Sequence, residues 1–481
     1  MRVRLALVLL VGPLAHATDL AARVEALLDE SPVAQHGFVG LEIHDLPGGR
    51  TLVEFNAGRH FVPASNTKLF TTALGLVRLG PLYRFHTRVL AAAPPDAEGR
   101  VAGPLTLAGS GDPNLSGRAL PYRVDAPAGN PLEVIEDLAR QVVEHGVRRV
   151  EGDIVGDDTA FPWEPYAEGW GIDDPLMDYG APVSALSIGD NTIALTVRPT
   201  GIRLDPPLEY YQIDSRVRLE RNVPRRLRIE RDPGSRQVRV WGALEPDGQG
   251  VTTRLAVDDP ALYAAMALRD ALTRRGVAVR GQAVARHAYP GDDVPHPAPS
   301  GVEVARRTSA PLVESLQVID KVSQNLHAEM LFRAVALARQ GLGTREAGLE
   351  ELRAFLRDAQ IEPEEYEFND GSGLSRRNLV TPRAIVKLLR YMYGSPHREA
   401  WLSLLPVGGE DGTLRLRMRN TPAAGRIRAK TGTLSHVAAL AGYAQRADGS
   451  LVAFAVLTNN QNAPSAEART FIDKLCVLMV E

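Results

Sequence analysis

Ser65 and Lys68 stand three positions apart in the stretch Ala64-Ser65-Asn66-Thr67-Lys68-Leu69-Phe70. Pro63 precedes it and an apolar run follows (Leu69, Phe70, Ala73, Leu74, Leu76, Val77), so the spacing predicts a buried helix opening at Ser65. Lys68 then lies one turn on, on the same face. A serine hydroxyl is a poor nucleophile at neutral pH unless a base takes its proton, and a desolvated lysine amine can be that base. The helix N-terminus adds partial positive charge where an oxyanion would form.

The distribution of lysine gives this pair weight. Lysine occurs only at 68, 321, 387, 430 and 474, and the other 50 of the 55 basic residues are arginine. Guanidinium does not release its proton, so a lysine kept among arginines marks a place for an amine that titrates or acts as a compact charge. With lysine this rare, about a third of a Ser-x-x-Lys match is expected by chance. Two further motifs follow downstream. Ser323-Gln324-Asn325 is the only Ser-x-Asn in the chain and falls between two helix patterns, while Lys430-Thr431-Gly432-Thr433 falls on a strand pattern.

Ser-x-x-Lys, Ser-x-Asn and Lys-Thr-Gly in this order resemble the triple signature of the serine penicillin-recognising enzymes. The chain is similar, more narrowly, to the class C low-molecular-mass penicillin-binding proteins, the D-alanyl-D-alanine carboxypeptidase/endopeptidase family. Gly109-Ser110-Gly111-Asp112-Pro113, Gly156-Asp157-Asp158-Thr159-Ala160-Phe161, Asp370-Gly371-Ser372-Gly373-Leu374-Ser375-Arg376 and Asp411-Gly412-Thr413-Leu414 carry that resemblance. So does the large insertion between Ser65 and Ser323. It implies a multi-domain α+β protein with the penicillin-binding/β-lactamase-like transpeptidase fold.

The resemblance also implies roles. Ser65 would attack a D-Ala-D-Ala or cross-link peptide bond of peptidoglycan, with Lys68 as its base and Ser323 as proton relay to the leaving amine. Asn325 would hold the substrate amide. Lys430 would attract the substrate carboxylate, bound also by Thr431 and Thr433 in the Lys430-Thr431-Gly432-Thr433 run, and the N–H groups of Ser65 and Thr433 would form the oxyanion hole. Asp158, with Asp157 beside it as the alternative, and Arg376 would recognise the zwitterionic end of a diaminopimelate peptide. Expected partners are peptidoglycan stem peptides and β-lactam antibiotics, and the resemblance allows a homodimer. Two rivals are a β-lactamase-like hydrolase and a catalytically silent wall-binding homologue. The first lacks a Glu-x-x-x-Asn loop for its deacylating water, and the second is at odds with intact motifs. Glu351, Glu364-Glu365 and the pair His327 and Glu329 read as solvated helix or loop residues, because no third ligand stands at metal-site spacing. No metal or cofactor is expected.

The elements that must position these residues come from both ends of the chain. A hairpin pattern at Gly37 to Asn56 and three strand patterns near the C-terminus, at 427–434, 438–445 and 451–459, predict one five-stranded antiparallel sheet with the terminal helices packed on it. The predicted organisation is a leader at 1–17, a penicillin-binding catalytic domain from 18–83 and 300–481, an inserted α/β domain from 84–183 and 246–299, and a nested β-rich domain at 184–245. The proline-rich stretch 287–299 reads as the linker back. Met1-Arg2-Val3-Arg4, the apolar run Leu5 to Val11 and Ala15-His16-Ala17 form the pattern of a secretory signal, which points to a periplasmic protein with no transmembrane anchor and at most a peripheral membrane association. A net charge of −3 without a basic cluster argues against nucleic acid as a partner. The single cysteine, Cys476, lies in an apolar helix pattern and reads as a buried structural thiol.

Overall fold

The computed structural model describes residues 13–127, 129–222, 226–291 and 298–481. Most of the expected leader, residues 1–12, and the centre of the expected linker, 292–297, lie outside the described residues. The chain forms two compact units, one of Met1–Thr67, Leu356–Glu367 and Asn378–Glu481, the other of Lys68–Phe355 and Phe368–Arg377.

The first unit holds the five-stranded sheet, in the order Ile427–Leu434, Val437–Gln445, Leu451–Asn459, Phe38–Asp45, Arg50–Phe55, antiparallel throughout. Both ends of the chain thus meet in one sheet, as the strand patterns predict. Side chains alternate across a strand, so Val39, Leu41 and Ile43 share one face with Leu440 and Val456. The helices Pro13–Glu30 and Ser465–Val480 cover that face through Leu20, Val24, Leu28, Ile472, Leu475 and Met479. Gly40 points the opposite way, against Phe61 and Pro382, where helix Pro382–Tyr393 packs. The two central strands near the C-terminus are covered on both faces, which is why their sequences are almost continuously apolar. Cys476 is buried in this core, and burial pushes its thiol up to about 12.

The second unit is built on a mixed five-stranded sheet, in the order Ala283–Ala288, Ile154–Pro162, Leu105–Ala108, His86–Ala91, Val302–Thr308. Helices Glu133–Glu144 and Pro260–Arg274 contribute Ile135, Leu138, Val142, Ala264, Leu268 and Leu272 to its core. Among the described residues of 192–256 the regular elements are strands, in two three-stranded sheets, in keeping with its Val, Ile, Leu and Arg alternation. The sequence reads one strand from Val101 to Leu107. The structure breaks it at Gly103-Pro104 into Arg100–Val101 and Leu105–Ala108, which join different sheets, because proline has no N–H for a ladder. Strand Val302–Thr308 and helix Arg398–Leu404 are not anticipated by the pattern. Among the described residues, no helix is long and apolar enough to cross a membrane.

Candidate active site

Ser65 sits in a short 3-10 turn, Ala64–Asn66, that runs directly into helix Thr67–Leu79. The sequence places Ser65 at the start of the helix itself; in the structure the short turn comes first, and Ala64 at its start has a positive φ of 49°. Ser65 is half-buried, while Lys68, one turn later, is completely buried. The compact units divide between Thr67 and Lys68. Nucleophile and base candidate are thus joined by a single helical turn.

In the unit of Lys68, helix Thr67–Leu79 packs against helix Asn325–Gln340 so closely that a Cβ on Gly75 would lie 2.9 Å from Leu331 Cδ2. That approach lets the Lys68 amine donate to Asn325 Oδ1 at 2.6 Å and to the Ser372 carbonyl at 2.6 Å. Asn325 Nδ2 donates in turn to the Tyr179 carbonyl at 2.8 Å. The turn that delivers Asn325 is unusual: a π-helical turn, Val318–Val322, ends at Ser323 in the left-handed region with φ of 66°. Asp320 in that turn lies 3.0 Å from Thr72 Oγ1, and Thr71 Oγ1 donates to the Gly371 carbonyl at 2.6 Å. Helix, turn and glycine-rich loop are therefore fastened to the face that carries Lys68.

Burial lowers the Lys68 pKa from 10.5 to about 8, although the nearby carboxylates of Asp370, Glu329 and Asp320 pull it the other way. An amine poised near 8 is able to accept a proton close to neutral pH. The loop Asp370 to Ser375 is organised by Asp370, which is fully buried and accepts from Gly373 N at 2.8 Å, Ser375 N at 2.7 Å and Trp170 Nε1 at 3.0 Å. Arg376, next along, is exposed, and Asp174 is near enough to sense its charge.

In the other unit, Lys430, Thr431, Gly432 and Thr433 lie on strand Ile427–Leu434, which packs against the turn Ala64–Asn66. A Cβ on Gly432 would come 2.5 Å from the Pro63 carbonyl and 3.3 Å from Ala64 Cβ, so the strand can approach the Ser65 turn only because this residue is glycine. Lys430 is fully buried and donates to the Thr431 carbonyl at 2.9 Å. Thr431 Oγ1 donates to Thr413 Oγ1 at 2.8 Å, which joins the Asp411-Gly412-Thr413-Leu414 stretch to this strand; Thr433 is exposed.

Asp158 and Arg376 have different surroundings. Asp158 is buried, with Oδ2 accepting from Ser184 Oγ at 2.8 Å and Oδ1 paired to His287 Nδ1 at 2.9 Å. His287 Nε2 lies 3.5 Å from Asp259. Burial alone would lower His287, but hydrogen bonds and charge from the two carboxylates take it up to about 10. His287 thus belongs to strand Ala283–Ala288 and a partly buried ionic cluster, not to a linker. Asp157 is paired with Arg286 and accepts from Thr159 N at 3.0 Å.

Other expectations need correction. His327 and Glu329 are not solvated: His327 is fully buried with Nε2 2.8 Å from Asp190, and Glu329 is 2% exposed. Glu351 is buried near Arg78 and Arg339, and Glu365 binds Lys387 at 2.5 Å. The sequence reading misses Asp320, Glu329 and Ser372 altogether as neighbours of Lys68. The only hint was that Asn325 and Glu329 are four apart on one helix.

The model of the D-Ala-D-Ala carboxypeptidase 3 (S13) family matches residues 20–479. The chain belongs to that family. A D-alanyl-D-alanine carboxypeptidase from an Actinomadura species is 35% identical over 470 residues, covering 94% of this chain and 83% of that protein. A Haemophilus influenzae D-alanyl-D-alanine carboxypeptidase is 25% identical over 447 residues, covering 90% and 87%. The crystal structure of penicillin binding protein 4 from the same organism superposes with a TM-score of 0.81 at 24% identity, covering 94% of this chain and 98% of that one. A complex of that protein with a β-lactam gives a TM-score of 0.77 at 23% identity, covering 95% and 99%. The fold is thus the multi-domain α+β penicillin-binding type, and the chain is a serine-type peptidase of the D-Ala-D-Ala carboxypeptidase kind.

Proposed function

We propose that this protein is a D,D-carboxypeptidase and D,D-endopeptidase of peptidoglycan that works through a serine acyl-enzyme and is acylated by penicillins. The observation that carries the reading is Lys68: a fully buried amine, lowered to about 8, one turn from Ser65 and 2.6 Å from Asn325 Oδ1. Lys68 takes the Ser65 proton as Oγ attacks the carbonyl of the terminal or cross-link peptide bond. The N–H groups of Ser65 and Thr433 receive the developing oxyanion, and Ser323 passes a proton to the leaving amine. Water then attacks the ester, its proton going to the same base, and releases the shortened peptide. Asn325 aligns the substrate amide, and Lys430, Thr431 and Thr433 hold the carboxylate, with Gly432 keeping the strand close.

Arg376 takes the carboxylate of a diaminopimelate end. For Asp158 to meet the ammonium group of that end, its carboxylate must be shared with His287. In this reading the insert from 84 to 299, including the β-rich part at 184–245, shapes access for the wall polymer. The protein acts in the periplasm, peripheral to the membrane, singly or as a homodimer.

Incubation with a fluorescent penicillin tests the chemistry: rapid, long-lived labelling of wild type that is lost in Ser65→Ala is expected. Quick turnover of the label would instead mark a β-lactamase, and labelling that survives Ser65→Ala would remove the nucleophile. Assay of a stem pentapeptide beside a cross-linked dimer then reads carboxypeptidase and endopeptidase activities separately.

A further inference from the structure

Lys68 is held inside a closed circuit of contacts. Its amine donates to Asn325 Oδ1 and to the Ser372 carbonyl. Asn325 and Glu329 are four residues apart on helix Asn325–Gln340 and so share a face. Glu329 Oε1 accepts from Ser372 N at 2.7 Å and from Gly371 N at 3.0 Å. One side of the circuit is thus a rigid helical turn, and the other a glycine-rich loop whose Gly371 and Ser372 N–H groups both donate to the Glu329 carboxylate.

We propose that Glu329 is a positioning residue of the acylation step: it fixes the Gly371-Ser372 backbone so that the Ser372 carbonyl aims the Lys68 amine, and it supplies negative charge to the ammonium that Lys68 becomes. This rests on the reading of Lys68 as the base.

The charges around Glu329 make the second half of the role specific. Burial, and then the Asp370 carboxylate, push Glu329 up to about 7, while the Ser372 and Gly371 hydrogen bonds and Arg333 hold it down. Arg333 itself is one helical turn further on, fully buried, and donates to the Pro162 carbonyl at 3.2 Å and to the Glu164 carbonyl. Asp320, from the π-helical turn, and Asp370, from the loop, are the other acids that act on Lys68. Asp370 is tied to its own loop and to Trp170, and Asp320 to Thr72. Glu329 is the acid that holds the two N–H groups beside the carbonyl that contacts the amine, at Gly371 and Ser372, whereas Asp370 accepts from the Ser372 hydroxyl at 3.3 Å. Before attack its charge disfavours neutral Lys68; once the Ser65 proton has moved, the same charge stabilises the product of that transfer.

The test is the acylation rate constant for a fluorescent penicillin, measured across the pH range that spans the Lys68 titration, in wild type, Glu329→Gln and Glu329→Asp. Wild-type acylation rises as Lys68 loses its proton. In Glu329→Gln a neighbouring negative charge is gone, so the rising limb moves to lower pH while the plateau falls by roughly tenfold or more. Glu329→Asp keeps the charge but is too short to hold both N–H groups, so the plateau falls and the limb stays. A Glu329→Gln limb that does not move, or a plateau unchanged in both variants, would overturn the proposal while leaving the acyl-enzyme reading intact. Absence of labelling in wild type would sink that reading, and this proposal with it. Should Glu329→Gln not fold, the Glu329→Asp plateau decides.

Discussion

Lys68 and Lys430 are both fully buried, yet the two compact units treat their lysines in opposite ways. Lys68 projects from a helix into a pocket with three carboxylates, an amide oxygen and a loop carbonyl, and its proton affinity is the outcome of burial set against those acids. Lys430 lies on an extended strand, its amine on the neighbouring Thr431 carbonyl, in a run whose other members are two threonines and a glycine. The first arrangement governs where a proton resides. The second offers groups at the fixed spacing of a pleated strand, which suits recognition of an extended peptide. The difference teaches that substitutions in the two units should fail in different observables: pH profile and acylation rate in one, KM in the other.

The largest effect is expected from Lys68→Arg, which keeps the charge but cannot act as a base at neutral pH. The acylation rate should fall by about 10²–10⁴-fold. In wild type the same rate should rise with pH through about 8, because the Lys68 pKa is lowered to that value and only the neutral amine accepts a proton. Penicillin labelling of Lys68→Arg at the wild-type rate would break the comparison at its base.

Gly432→Ala comes next. Its new Cβ meets backbone at 2.5 Å, so the strand must retreat from the Ser65 turn, at a cost of about 1–3 kcal/mol in thermal or denaturant melts and with a marked loss of kcat/KM. A variant with unchanged melting and kinetics would show that the close approach is not needed. Thr431→Val should be milder, raising KM several-fold, on the order of 1 kcal/mol of binding, with kcat and the pH limb in place. A moved limb would place a proton-handling role in the strand.

The smallest effect sharpens the comparison from outside the chemistry. His287→Gln should leave the Lys68 limb unmoved and alter only stability. The His287 pKa is raised from 6.5 to about 10 in the folded protein, so its contribution is fully present below 6.5 and is lost as pH rises through about 10. The melting difference between wild type and His287→Gln should shrink over that window, and a constant difference would contradict it.

The five-stranded sheet was legible because three of its strands, Phe38–Asp45, Val437–Gln445 and Leu451–Asn459, carry apolar runs that the fold buries. Ser65, Lys68, Ser323, Asn325 and Lys430 were legible as candidates through their order and through the rarity of lysine. The acids about Lys68 were not. A single glutamate on an amphipathic helix gives the same pattern whether it faces water or a buried amine, and Glu329 meets its partners across more than forty residues of intervening chain. His287 was hidden for a related reason. Proline density around it suggests an open segment, whereas the partners that bury it, Asp158 and Asp259, lie far away in sequence.

The left-handed backbone at Ser323 has one more consequence. A residue with a Cβ held at φ of 66° costs on the order of 1 kcal/mol relative to glycine, which occupies that region freely. With Ser323 as the proposed proton relay, heat resistance and turnover make opposing demands on this position. A library of variants screened for melting temperature alone should enrich glycine at 323 and lose hydrolysis as it does so, whereas one screened for release of D-Ala from a stem peptide should return serine despite the penalty.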